Sequence, residues 1–240
     1  MTALLALDGV SKRFRGLVAV DQVGFAVPQG AIFAVIGPNG VGKTTLFNMI
    51  AGAMAPDAGS ITFAGLAVQG LPADAICRRG IARTFQIVRP FPALSVEDNV
   101  IIGALLHRRN VDCARTRARA LLAQLELFDK RHRIASTLTL PDRKRLEVAR
   151  ALATEPQLLL LDEVMAGLRP TETDRMVAIL QSLNRDGVTI LLIEHVMRAV
   201  MALASRVLVL DHGVAIAEGA PESVVRDPAV VQSYLGAEAV

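Results

Sequence analysis

Between residues 31 and 50 the chain passes from an apolar run, Ala31-Ile32-Phe33-Ala34-Val35-Ile36, through Gly37-Pro38-Asn39-Gly40-Val41-Gly42-Lys43-Thr44 and Thr45, into the helically spaced Leu46-Phe47-Asn48-Met49-Ile50. The pattern G-x-x-x-x-G-K-T leaves the segment one geometry: a buried strand, a tight loop and a helix start. Three glycines let the backbone wrap an anion with its N–H groups turned inward. The helix that follows aims its positive end at the same anion. Asn39, Gly40, Gly42, Lys43, Thr44 and Thr45 are thus candidate ligands of a nucleoside triphosphate. Lys43 would reach the outer phosphates, and the Thr44 hydroxyl would ligate Mg²⁺.

A chain of 240 residues with 52% hydrophobic content can bury a sizeable core, and disorder is not expected. No run approaches the roughly 18 apolar residues that a membrane span needs. The start Met1-Thr2-Ala3-Leu4 lacks the basic region of a signal peptide. The chain is expected to be cytosolic, or peripheral on the cytosolic face of a membrane. Cys77 and Cys113 are too few and isolated for a metal site or a disulfide framework. The net charge is only +3, and the basic clusters, among them Lys130-Arg131-His132-Arg133 and Arg143-Lys144-Arg145, have no interleaved aromatics. They read as solvated helix faces, and nucleic acid is not an expected partner.

Along the chain, Leu4–Val10 and Val23–Val27 read as short strands around a turn-rich Arg13–Val20 segment. Further strands are expected at 60–63 and 81–85. Pro90 and Pro92 then change the character of the sequence. Ser95-Val96-Glu97-Asp98 reads as a helix N-cap with acidic first-turn residues. Ala114–Phe128 has helical spacing, and Thr139-Leu140-Pro141-Asp142 caps a helix running to Ala153, with Pro141 in its first turn. Residues 89–150 are therefore expected to form a helical subdomain between core segments 1–88 and 151–240. The α/β rhythm returns with the wholly apolar Leu158-Leu159-Leu160-Leu161 before Asp162, the mark of a central parallel strand.

Ligands of an open parallel sheet sit beyond the strand carboxyl ends, so Asp162-Glu163 should share one mouth with the phosphate loop. Asp162 suits a Mg²⁺ held through water. Glu163 is placed to polarise the attacking water. His195 follows the strand 188–193 and can hydrogen-bond a terminal phosphate. Gln86 ends a strand at the border of the helical insert, where its amide can reach both Mg²⁺ and the insert.

Taken together, these residues resemble an ATP-binding-cassette (ABC) ATPase, and the resemblance covers essentially the whole chain. It implies an α/β fold: a RecA-like P-loop core with an antiparallel β edge and a helical subdomain. Gln86 matches the family's Q-loop, Leu158–Asp162 its Walker B strand, Glu163 the catalytic glutamate, His195 the switch histidine, and Ala166-Gly167-Leu168 the D-loop. Phe14 falls where the family stacks an aromatic on adenine; a core Phe is the other reading. The family pairs two such subunits head to tail around two ATP molecules. Closure and hydrolysis then move a membrane permease, gripped here through Ile87–Val100. Three stretches, Ala82–Phe91, Ile193–Met197 and the tail Gly213–Gly236 with Ser233-Tyr234-Leu235-Gly236, are most similar to the ATPases of branched-chain amino acid uptake. Those systems also use a periplasmic solute-binding protein. Related cassettes for urea or other amides and for lipopolysaccharide export share much of the pattern, and a soluble non-transport cassette is the remaining alternative.

Three departures stand out. The signature loop, usually L-S-G-G-Q, aligns with Leu138-Thr139-Leu140-Pro141-Asp142; Val164 replaces a Pro; and Arg169 replaces an Asp or Asn. Thr139 keeps a hydroxyl for the partner's nucleotide, but Pro141 has no N–H to give and Asp142 puts negative charge near phosphate. The sequence thus favours pairing with a different ATPase subunit over a homodimer.

Overall fold

The computed structural model describes residues 3–84 and 90–237. Strands β1 (Ala3–Phe14) and β2 (Leu17–Pro28) form a long hairpin closed at Arg15-Gly16, with Arg15 at φ +53°. This corrects the expectation of an irregular Arg13–Val20 segment, since Lys12↔Val20, Arg13↔Val18 and Phe14↔Leu17 continue the ladder. Register shifts between Leu7 and Val10 and between Val10 and Lys12 disturb the in-out alternation. A bulged strand hides its period in this way. Strands β3 (Ile32–Ile36), β4 (Ala58–Phe63), β5 (Leu66–Ala67) and β6 (Ile81–Arg83) follow, with helices α1 (Lys43–Ile50) and α2 (Ala73–Arg78).

Helices α3 (Val96–Ala104), α4 (Val111–Gln124) and α5 (Leu140–Leu152) come next, packed on one another. Ser95 caps α3 by accepting the Asp98 N–H at 3.0 Å. Gly103 is where α3 and α5 touch: a Cβ there would lie 2.6 Å from the Arg150 carbonyl oxygen. Helix α4 starts earlier and ends earlier than its spacing predicts, because Asn110 caps it and Glu126 turns left-handed at φ +55°. The chain returns through β7 (Leu158–Asp162), α6 (Pro170–Arg185), β8 (Thr189–Ile193), α7 (Met197–Leu203), β9 (Arg206–Asp211) and β10 (Val214–Gly219). It closes with α8 (Pro221–Val224) and α9 (Pro228–Ala237).

Among the described residues the strands make two sheets. One is antiparallel, in the order β2-β1-β4-β5; the other runs β10-β9-β3-β8-β7-β6, parallel except for its β10 edge. Alternation along the central strands divides the core. Phe33, Val35, Leu158, Leu160, Leu191 and Ile193 face α1 and the antiparallel sheet. Ile32, Ala34, Leu159, Leu161, Ile190 and Leu192 face the other way, toward a cluster that includes α3, α4 and α5. Both faces of the parallel sheet are covered, which is why its strands are apolar throughout. Among the described residues no helix is long and apolar enough to cross a membrane.

Candidate active site

The loop between β3 and α1 is built for close backbone approach. Gly37 and Gly42 sit at φ +146° and +104°. A Cβ on Gly37 would meet the Leu210 carbonyl oxygen at 2.1 Å, and one on Gly42 the Ala19 carbonyl oxygen at 2.1 Å. Only glycine fits either position. Lys43 is 7% exposed, and its Nζ donates to the carbonyls of Gly37 and Pro38, each at 2.7 Å. Burial lowers its pKa, while the carboxylates of Glu163 and Asp162 work against that. Asn39, Gly40, Gly42, Lys43, Thr44, Thr45, Phe14 and Glu163 line one cavity of about 400 Å³. Phe14 is half exposed on its wall, not in the core.

Asp162 ends β7, 1% exposed, and pairs with Arg83 of β6 at 2.9 Å. Arg83 also bonds Asn48 of α1. The Thr84 hydroxyl accepts the Asp162 backbone N–H at 3.1 Å. Among the described residues the second carboxylate oxygen of Asp162, Oδ1, is buried without a hydrogen-bond partner. Burial raises the pKa of this acid, and Arg83 only partly opposes the shift. An orphaned buried carboxylate oxygen, with the Thr44 hydroxyl beside the loop, is the oxygen-donor chemistry that suits Mg²⁺.

Glu163 takes a left-handed backbone at φ +50°. Such a conformation persists only where its surroundings enforce it. Here the Glu163 N–H bonds the Ile193 carbonyl at 3.0 Å, and its own carbonyl accepts Lys144 Nζ at 2.8 Å. His195, half exposed, places Nδ1 3.8 Å from Glu163 Oε1. Behind them Glu194 is buried and accepts the Met165 N–H at 2.9 Å. Burial raises the Glu194 pKa. A second cavity of about 360 Å³ is lined by Gly37, Pro38, Asn39, Glu163, His195 and Tyr234. The structure therefore brings the phosphate loop, Asp162, Glu163 and His195 together at the carboxyl ends of β3, β7 and β8. Gln86 lies outside the described residues, as do Ile87–Arg89 of the expected permease contact.

Thr139 and Asp142 lie at the start of α5, lining a separate cavity of about 200 Å³. Asp142 is 2% exposed and is bridged by Lys130 and by Arg145, each at 2.5 Å. Arg145 also bonds Glu126, which pairs with Arg175. Burial works against the Asp142 charge, but the bonds from Lys130, Thr139 and Arg145 together hold its pKa below the ordinary carboxylate range. The expectation of a bare negative charge near phosphate is thus corrected: two cations neutralise it inside the fold. The reading of Arg143-Lys144-Arg145 as a solvated face is corrected with it, since Lys144 and Arg145 are both buried. Sequence reasoning missed Arg83, Lys144 and Glu194. The i,i+3 spacing of Asp142 and Arg145 was the signal available for their pairing; nothing local pointed Lys144 at Glu163.

Comparison with known proteins agrees with this geometry. The family model "ABC transporter" matches residues 20–166. The model "Branched-chain amino acid ATP-binding cassette transporter" matches residues 216–240. The high-affinity branched-chain amino acid transport ATP-binding protein LivG of Salmonella typhimurium is 39% identical, over 97% of this chain and 98% of its own. BraF of Pseudomonas aeruginosa, described in the same words, is 37% identical with the same coverage. Among solved structures, a nucleotide-free ATP-binding cassette from an ABC transporter superposes with TM-score 0.90 at 29% identity, covering 97% of this chain and 99% of that one. The ADP conformation of MJ1267, a cassette of an ABC transporter, gives 0.90 at 29% identity, covering 98% and 100%.

Proposed function

The chain belongs to the ABC transporter ATPase family, and from that premise we propose that it is the ATP-hydrolysing subunit of an importer for branched-chain amino acids. The observation that carries this is full-length similarity to ATP-binding proteins of that transport, reaching into the tail at 216–240. In this reading Asn39, Gly40, Gly42, Lys43, Thr44 and Thr45 cradle the phosphates, and adenine stacks on Phe14. Thr44, Asp162 and Gln86 would hold Mg²⁺, which would supply neutralisation of charge on the outer phosphates. Lys43 is already aimed by two backbone carbonyls. Glu163 takes the proton of the attacking water, and His195 orients the terminal phosphate.

We assign residues 89–150 to a helical subdomain and the permease contact to its border. An apolar groove of about 310 Å³ opens there, between Ala51, Ala73 and Cys77 on one side and Ile102, Gly103 and Arg150 on the other. Buried Asn99 clamps the preceding loop, bonding the N–H and the carbonyl of Phe91 at 2.8 and 3.1 Å. Docked on a permease in this way, the chain sits peripherally on the cytosolic face of the inner membrane. A periplasmic binding protein delivers the solute from the other side. The test is reconstitution with the permease chains in vesicles: ATP-dependent uptake of labelled leucine supports the reading, and ATP-dependent uptake of urea but not leucine overturns it.

A head-to-tail ATPase dimer completes each site, with Thr139 acting in trans. Pairing with a different ATPase subunit is favoured by Pro141, which offers no N–H at the start of α5, and by the internal commitment of Asp142 to Lys130 and Arg145. Ordinary turnover by the purified chain alone contradicts that pairing.

A further inference from the structure

The tail that distinguishes this chain folds back onto the hydrolytic site. Val224 of α8 and Val230 of α9 are buried in the core cluster beneath the central sheet, and Tyr234 packs against the same cluster. From that anchor the Tyr234 ring reaches the cavity whose other walls are Gly37, Pro38, Asn39, Glu163 and His195. This places the tail at the mouth where a terminal phosphate and its attacking water would sit. The approach is polar as well as steric: Gly37 and Tyr234 line one cavity, and the Gly37 backbone N–H acts on the phenol oxygen. A phenol can accept one hydrogen bond and donate another. Burial raises the Tyr234 pKa, so the group stays neutral and keeps its proton.

Gly37 is the residue this contact must hold. Its φ of +146° and its approach to Leu210 leave no room for a side chain of its own to fix it. Its carbonyl is one of the two that aim Lys43 Nζ. The connection therefore runs from the Tyr234 hydroxyl to the Gly37 peptide, and from that peptide to the ammonium that meets the outer phosphates. We propose that Tyr234 is a positioning residue for ATP hydrolysis, bracing the first glycine of the phosphate loop so that the C-terminal helix sets the geometry of the terminal-phosphate pocket. The inference rests on the reading of Glu163, His195 and Lys43 given above. Glu163→Gln tests that reading separately, through turnover.

Tyr234 is the only tyrosine in the chain, which has no tryptophan, so intrinsic tyrosine emission reports this residue alone. In purified full-length chain carrying Glu163→Gln, ATP with Mg²⁺ should change that emission, and ADP should change it much less. In wild-type background Tyr234→Phe keeps the ring and removes the hydroxyl. It should lower turnover about threefold to tenfold, the worth of one neutral hydrogen bond, with KM for ATP within about twofold and an unchanged melting temperature. A merely structural tail would leave turnover of Tyr234→Phe at the wild-type value, and that result overturns the proposal. Equal emission changes with ATP and ADP overturn it as well, even if the variant fails to fold. If Glu163→Gln turns over normally, the reading of the pocket fails, whatever Tyr234 does.

Discussion

Asp142 and Asp162 are both aspartates at the ends of regular elements, 2% and 1% exposed, yet their surroundings drive them in opposite directions. Asp142, in the first turn of α5, meets two cations and a hydroxyl and is held in its charged form. Among the described residues Asp162, at the end of β7, forms an ion pair with Arg83 alone, keeps a buried oxygen without a partner and has its charge disfavoured. A buried charge is tolerable when it is fully paired and costly when it is not. The closed pairing belongs to structure. The open one lies at the mouth of the phosphate loop, where the proposed Mg²⁺ would complete it.

Several substitutions sharpen this contrast. The largest effect should come from Glu163→Gln beside the open acid: turnover falls by about 10²–10⁴, the range for loss of a general base, while ATP remains bound. Phosphate release and nucleotide binding on the same sample check it. Lys43→Ala should weaken nucleotide binding about 10- to 100-fold in equilibrium dialysis, given the roughly 1.5–3 kcal/mol of a hydrogen bond to a charged group. On the closed side, Asp142→Ala should cost about 1–3 kcal/mol of stability, because it leaves buried donors unsatisfied. Urea denaturation measures this; a variant as stable as wild type would mean that the network is decorative.

The two acids also differ in sign with pH. The folded pKa of Asp142 is depressed, so its stabilisation is present above the ordinary carboxylate pKa and is lost as pH falls through the folded value. That of Asp162 is raised, so its favourable contribution is complete below the ordinary pKa and is lost as pH rises through the folded value. Asp142→Asn should therefore flatten the acid limb of a plot of stability against pH, and Asp162→Asn should steepen it. Matching slopes in the two variants would erase the distinction.

Much of this was legible in the chain, for a physical reason. The phosphate loop and the strand Leu158–Asp162 are local: spacing, glycines and an unbroken apolar run fix strand–loop–helix geometry with no knowledge of the rest. The first hairpin was misread because its bulges break the alternation that signals a strand. Three kinds of contact were out of reach. Lys144 meets the Glu163 carbonyl across 19 positions, Arg83 meets Asp162 across 79, and Gly37 and Tyr234 come to line one cavity through the tertiary fold. In isolation each of these residues is an ordinary surface or core type. The meaning of Asp142 was legible in part. Its identity departs from the family's loop, but the cations that neutralise it were visible only once α5 and the Phe128–Lys130 turn were packed.

The contrast between the two aspartates is tested most directly by metal binding. Mn²⁺ can stand in for Mg²⁺ and be followed by its paramagnetic signal in the presence of saturating ATP. Three full-length proteins are compared: wild type, Asp162→Asn and Asp142→Asn. The account predicts that Asp162→Asn weakens Mn²⁺ binding at least about tenfold, equivalent to roughly 1.4 kcal/mol, while Asp142→Asn binds within about twofold of wild type. Equal metal affinity in wild type and Asp162→Asn would contradict it.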